Sequence, residues 1–146
     1  MKQYIGIVLL VVCTWLVSSC ELETSGNGDL DGMWHLVKVD TLSTSGVRQM
    51  EQEKIYWLFQ FKLLQLEDKS GTRDNLLMRF EHKDNVLRLY DPYIYDRTNG
   101  DKPLTDTSLS APFGVNALEE SFTVESLGGD KMVLRTEKLR LSFRKL

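Results

Sequence analysis

SFTVESL (residues 121–127), GGD (128–130), KMVLRT (131–136) and LRLSFR (139–144) decide the fold class. Phe122 and Val124 share one face of the first run, and Met132 and Leu134 follow in the next. Leu139, Leu141 and Phe143 then alternate with Arg140, Ser142 and Arg144. Alternation at period two is the mark of a strand with one face buried and one face wet. Gly128-Gly129-Asp130 supplies a tight turn. Three strands joined by short turns make an antiparallel meander, whose apolar face must close on itself or stack on a second sheet.

The same pattern extends upstream. Leu76, Met78 and Phe80 alternate with Leu77, Arg79 and Glu81, Lys83-Asp84-Asn85 turns the chain, and Val86 to Tyr90 returns, which predicts a hairpin. Met33 to Asp40 also alternates. Ile55 to Leu66 reads as one long strand with Ile55, Trp57, Phe59, Phe61 and Leu63 on one face and a bulge where Leu63-Leu64 shifts the phase. Ile55, Leu58, Phe59, Leu63 and Leu66 fit a helical stripe as well, but three aromatics and the Phe-Gln-Phe-Lys alternation favour a strand. Residues 91–118 are broken by Asp91-Pro92, Asn99-Gly100-Asp101, Lys102-Pro103 and Ala111-Pro112, and read as a long loop with room for a short strand near Leu104 to Leu109. The expectation is therefore an all-β domain of seven strands, or eight, closed as a barrel or stacked as a sandwich.

The N-terminus has a different character. Lys2 precedes an apolar run from Ile5 to Val17, too short to span a bilayer, and Ser18-Ser19-Cys20 closes it. This reads as a secretory signal over residues 1–19. Cys20 after two small residues resembles the lipobox of bacterial lipoproteins, which implies a diacylglycerol on its thiol and attachment to a membrane in the cell envelope, at the periplasmic face or the cell surface. Residues 20–29 form the lipidated cysteine and a polar tether, and 30–146 form the β domain. Lys2 is the one charged residue in 1–19, so the rest of the chain holds 17 basic and 21 acidic groups, a balance of about −4. That argues against nucleic acid as a partner. Cys13 goes with the signal and Cys20 carries lipid, so stability falls to packing alone.

Leu30-Asp31-Gly32-Met33-Trp34 places a Gly-x-Trp at the start of the first strand. With the aromatic second strand and the closing Leu-x-Leu-x-Phe-Arg-Lys, the chain resembles small lipocalin-like (calycin-type) lipoproteins of Bacteroidales, many in families of unknown function. The resemblance implies an eight-stranded up-and-down antiparallel barrel, with Gly32 and Trp34 at its closed end and a basic residue, Arg140 or Arg144, over the indole. The chain is shorter than the usual secreted lipocalins and lacks their disulfide and a clear C-terminal helix.

Sites of chemistry are sparse. His35 and His82 are the only histidines, too few for a zinc site, and no metal or cofactor is expected. Asp96 to Asp101 fails the spacing of a calcium loop; a looser site from Asp91, Asp96 and Asp101 is the remaining variant. No nucleophile motif is present, and Glu51/Glu53 and Glu119/Glu120 read as solvated strand ends, so no enzyme activity is expected. Lys138, Arg140 and Arg144 read as a solvated basic stripe. Trp57, Phe59 and Phe61 either fill the lumen or line an apolar cavity, with Tyr90, Tyr93 and Tyr95 of the long loop at its mouth. Two functions follow: a module holding a small apolar or amphipathic ligand, or one with a filled barrel whose 91–118 loop docks on an envelope protein.

Overall fold

The structure is a computed structural model that describes residues 26–146. Ten antiparallel strands follow a 3-10 turn at Gly28–Leu30. They are β1 (Gly32–Thr41), β2 (Gly46–Gln49), β3 (Ile55–Gln60), β4 (Leu63–Asp68), β5 (Leu76–Lys83), β6 (Val86–Ile94), β7 (Lys102–Pro103), β8 (Glu120–Leu127), β9 (Lys131–Arg135) and β10 (Leu139–Lys145). Eight close a ring in the order β1, β3, β4, β5, β6, β8, β9, β10, with β10 pairing back onto β1. The short β2 and β7 lie outside the ring, against the C-terminal half of β1 and the end of β6. Closure leaves the eight ring strands without a free edge over most of their length, which suits a meander with one apolar face per strand.

The alternation read from the sequence becomes inside and outside. Trp34, Leu36, Trp57, Phe59, Leu64, Leu66, Leu87, Leu89, Phe122, Leu134 and Leu141 point into the barrel and are at most 1% exposed. The Leu76–Tyr90 hairpin and the C-terminal meander form as expected. The turn Asp84-Asn85 has both residues at φ +52° and +60°, a left-handed geometry that these two side chains tolerate.

The run 55–66 is not one bulged strand. It is a hairpin in which Gln60 pairs with Leu63 around the two-residue loop Phe61-Lys62. Such loops need positive φ and normally advertise themselves with Gly, Asn or Asp. Phe61 takes φ +55° with none of these signals. This split supplies the eighth ring strand. Leu104 to Leu109, the stretch expected to hold it, instead buries Leu104 and makes a 3-10 turn at Thr107–Leu109. The 91–118 segment is consequently less of a loop than expected: β6 runs through Asp91-Pro92 to Ile94, β7 pairs with it, and a second 3-10 turn spans Ala111–Phe113.

Candidate functional site

The barrel has two ends. The closed end gathers the start of β1, the Phe61-Lys62 and Asp84-Asn85 turns, Gly128 to Asp130 and the end of β10. The mouth gathers residues 42–54, 69–75, 95–119 and 136–138. Trp34 and Trp57 stand opposite each other on β1 and β3, both fully buried. Each donates its indole N–H to a main-chain carbonyl of a capping segment. Trp34 bonds Leu30 at 2.9 Å at the closed end, and Trp57 bonds Phe113 at 3.0 Å at the mouth.

At the closed end the Lys145 ammonium lies 4.9 Å from the centre of the Trp34 ring and donates to the Asp29 carbonyl at 2.8 Å. A cation over indole contributes about 0.5–2 kcal/mol. The basic residue over Trp34 is therefore Lys145, not Arg140 or Arg144. Trp34 pairs in register with Lys145, whereas Arg140 is held by Glu125 at 3.0 Å and exposed Arg144 lies opposite His35. Gly32 has φ +111°, and a Cβ there would come within 3.0 Å of the Lys145 side chain, which is why the motif opens on glycine. The part of the tether from Asn27 onward is fastened here. Asn27 donates to the Phe61 carbonyl at 2.6 Å and to Asp31 at 2.8 Å.

At the mouth the 104–115 segment forms a plug. Phe113 and Val115 are fully buried, and Leu104 and Met50 nearly so. The turn leaves through Gly114 at φ +90°, where a Cβ would press to 2.7 Å from Leu141. Below it Trp57 meets Phe143 and Phe122 edge-on at centroid distances of 4.9 and 5.8 Å, and Phe59 meets Phe80 at 5.0 Å. The lumen is thus occupied by side chains at normal packing distances. Trp57 and Phe59 belong to this core. Phe61, expected beside them, is 51% exposed at the tip of its hairpin, because the turn carries it out of the strand.

Tyr90, Tyr93 and Tyr95 do not converge on the mouth. Tyr90 and Tyr93 are half-buried along the outer wall, and Tyr95 stands at the rim with its amide bonded to the Asn75 carbonyl. Tyr90 is covered by the Arg88 guanidinium at 4.3 Å and lines a 390 Å³ open cleft with Phe61 at the closed end. Tyr93 lines a 310 Å³ cleft with Leu63 and Arg79. The Tyr95 hydroxyl accepts from Arg97 at 2.6 Å. Over the plug, Arg48, Met50, Glu53, Arg73 and Pro112 border a further 360 Å³ cleft. Sequence reasoning gave no hint of Phe113 as a plug, although Pro112 and Gly114 around an aromatic are the signal of a tight, close-packed turn.

The polar groups serve the scaffold. The buried Asp68 carboxylate would be raised by its burial, but hydrogen bonds from Ser70 and the Arg73 guanidinium at 2.9 Å outweigh this and hold it below the ordinary aspartate range. Burial pushes Glu120 up, against hydrogen bonds from the Asn116 and Ala117 backbone. Asp96 accepts from the Asn99 and Thr98 amides and from the Asn99 side chain, and Asp101 accepts from the Asp96 amide, so this loop is closed upon itself. His35 is buried against the Glu53 carbonyl at 2.7 Å and stacked on Tyr56, and His82 is exposed. Among the described residues no three His, Cys, Asp or Glu side chains come together as metal ligands.

Residues 15–146 match the family model described as a lipocalin-like domain. A lipocalin-like protein from Bacteroides uniformis has a similar structure, with a TM-score of 0.63 at 19% identity over 82% of this chain and 100% of that one. An uncharacterised protein from Bacteroides eggerthii superposes with a TM-score of 0.55 at 22% identity over 80% of this chain and 98% of its own. No curated protein matches. With an eight-stranded closed barrel, the Gly-x-Trp cap and a family match over most of its length, this chain belongs to the lipocalin-like domain family.

Proposed function

We propose that this protein is a lipid-anchored, non-catalytic binding module of the bacterial cell envelope that recognises its target on the outside of a filled barrel. The observation that carries this is the plugged lumen: Trp57, Phe59 and Phe122 occupy it, and Phe113 closes it from above. The lipocalin-like fold suits a binding module, and with its cavity occupied the surfaces that remain are the clefts of the rim and wall. Leu109 and Leu118 on the mouth segment are 39% and 41% exposed, an apolar element suited to an envelope protein partner. Attachment is supported by Ser18-Ser19-Cys20, which lies outside the described residues and within the family match. The absence of catalysis is supported by the employment of one of the two acidic pairs: Glu119 binds Arg88, and Glu120 caps the Asn116 turn.

Native mass spectrometry of the chain from Glu21 onward, which leaves out the anchor cysteine and keeps every described strand, purified from a bacterial host without detergent, tests the filled barrel. A clean mass without an apolar adduct, and no uptake of an environment-sensitive apolar dye, is the expected result. A second reading, a small apolar or amphipathic ligand inside the barrel, is favoured by one feature. The plug is tied to Trp57 through a single hydrogen bond, from the indole N–H to the Phe113 carbonyl, so a ligand could take the place of Phe113. A stoichiometric apolar adduct, with faster amide exchange over residues 104–115, would establish that reading and end the first.

A further inference from the structure

The first described residues and the closed end are one unit. Asn27 is bonded to the Phe61 hairpin and Asp29 to Lys145, so the chain leaves the barrel beside Phe61. From Cys20 to Asn27 the chain can span about 25 Å at most, at 3.3–3.6 Å per residue. The ten residues of β1 rise about 33 Å at full extension, and somewhat less along the axis once tilted. A chain held at Cys20 could reach the mouth only by spending nearly all its length along the wall. The closed end must therefore be the end nearer the anchor.

That end also carries side chains that a soluble surface does not explain. Phe61 is 51% exposed at φ +55°, a conformation costly for a bulky residue, while the neighbouring turn uses Asp84-Asn85, for which it is ordinary. The turn alone would be better made by Asn or Gly, so the ring at this tip has another use. Leu63 and Val86, on the adjoining strand starts, are 48% and 42% exposed, and Lys62 stands beside Phe61. An aromatic and aliphatic tip with a neighbouring lysine suits the boundary between acyl chains and headgroups.

We infer that the closed end is a membrane-contact face: with Cys20 anchored, Phe61 and Leu63 rest in the interface of the phospholipid bilayer and the plugged mouth points away from it. This rests on the lipoprotein reading proposed above. The contact is apolar in the main, because Lys62, Lys83, Lys131 and Lys145 at this end are equalled in number by Asp29, Asp31, Asp84 and Asp130.

The test is bromine-lipid quenching of single tryptophan reporters. The full chain is recovered from the membrane of a bacterial host and reconstituted in vesicles of phosphatidylethanolamine and phosphatidylglycerol that contain bromine-labelled phosphatidylcholine. Phe61→Trp should be quenched several-fold more than Leu109→Trp at the mouth, against the background of buried Trp34 and Trp57, with Trp15 replaced by Phe in every variant. Leu63→Trp, on a regular strand, should match Phe61→Trp and covers the case in which the turn variant misfolds. Equal quenching at both ends, or stronger quenching at Leu109→Trp, overturns the inference. The mass of the recovered chain separates the two claims. A free thiol at Cys20 refutes the lipoprotein reading alone. The orientation is then read from the chain from Cys20 onward, which contains every strand and a single cysteine, coupled through that thiol to a maleimide-headed lipid. The same quenching outcomes decide it.

Discussion

The two ends of this barrel are sealed by the same device built in two ways. At each end a buried tryptophan donates its indole N–H to the carbonyl of a short 3-10 segment, and at each end a glycine with positive φ lets β10 pass close by. At the closed end the cap is local: Leu30 is four residues from Trp34, and the long side chain of Lys145 finishes it. At the mouth the cap comes from 56 residues downstream and the neighbour is the packed side chain of Leu141, not the flexible end of a lysine. A local cap forms with its own strand, whereas a remote one requires the whole ring, so the mouth is the end that a ligand, an acid pulse or a mutation can open first.

The strongest way to break this comparison is to remove the tryptophans. Trp57→Ala and Trp34→Ala should each cost about 3–5 kcal/mol in urea unfolding, and Trp57→Ala should in addition bind an apolar dye through the loosened mouth. Equal dye uptake in both variants would show the ends to be equivalent. The glycines sharpen the contrast. Gly114→Ala, pressed to 2.7 Å from Leu141 at φ +90°, should cost about 2–4 kcal/mol by thermal or urea denaturation. Gly32→Ala meets only the movable Lys145 stem and should cost about 1–2 kcal/mol.

Acid should also tell the ends apart. Asp68, buried at the mouth end of β4, has a folded-state pKa below its unfolded value. Its contribution is therefore complete above the ordinary aspartate range, near pH 4, and is lost as pH falls through the lowered folded value. Amide exchange between pH 5 and 2 should rise in 69–75 before it rises at Gly28–Leu30, and Asp68→Asn should flatten this dependence and cost about 1–3 kcal/mol. The smallest effect belongs to the closed end. Lys145→Gln should cost about 0.5–2 kcal/mol by urea denaturation, with Lys145→Arg recovering most of it.

The closed end was legible because its parts follow each other in sequence: Gly32, Trp34 and the alternation of β1 and β10 are all local signals. Two parts of this end were misplaced: the partner of Trp34, since parity along β10 does not reveal which basic residue stands in register, and the Phe61-Lys62 hairpin, which turns without a turn residue and carries Phe61 out of the predicted aromatic stripe. The mouth was not legible. Phe113 packs inside from a segment with no periodicity at all, and of the tyrosines expected together at the mouth Tyr90 and Tyr93 lie on the wall because β6 continues past Asp91-Pro92. Long-range closure leaves little trace in a local pattern.

The seam between β1 and β10 sets the order in which this molecule can come into being. Trp34 pairs with Lys145, nearly the whole described chain away, and among the described strands β10 alone completes the ring. A chain emerging from a ribosome or a translocation pore must expose two unpaired sheet edges until β10 is free, and such high-contact-order closure is slow. A nascent chain halted before Leu139 would be a curled sheet open along one side, sticky to its own kind and to chaperones, and loss of β10 would leave it there permanently.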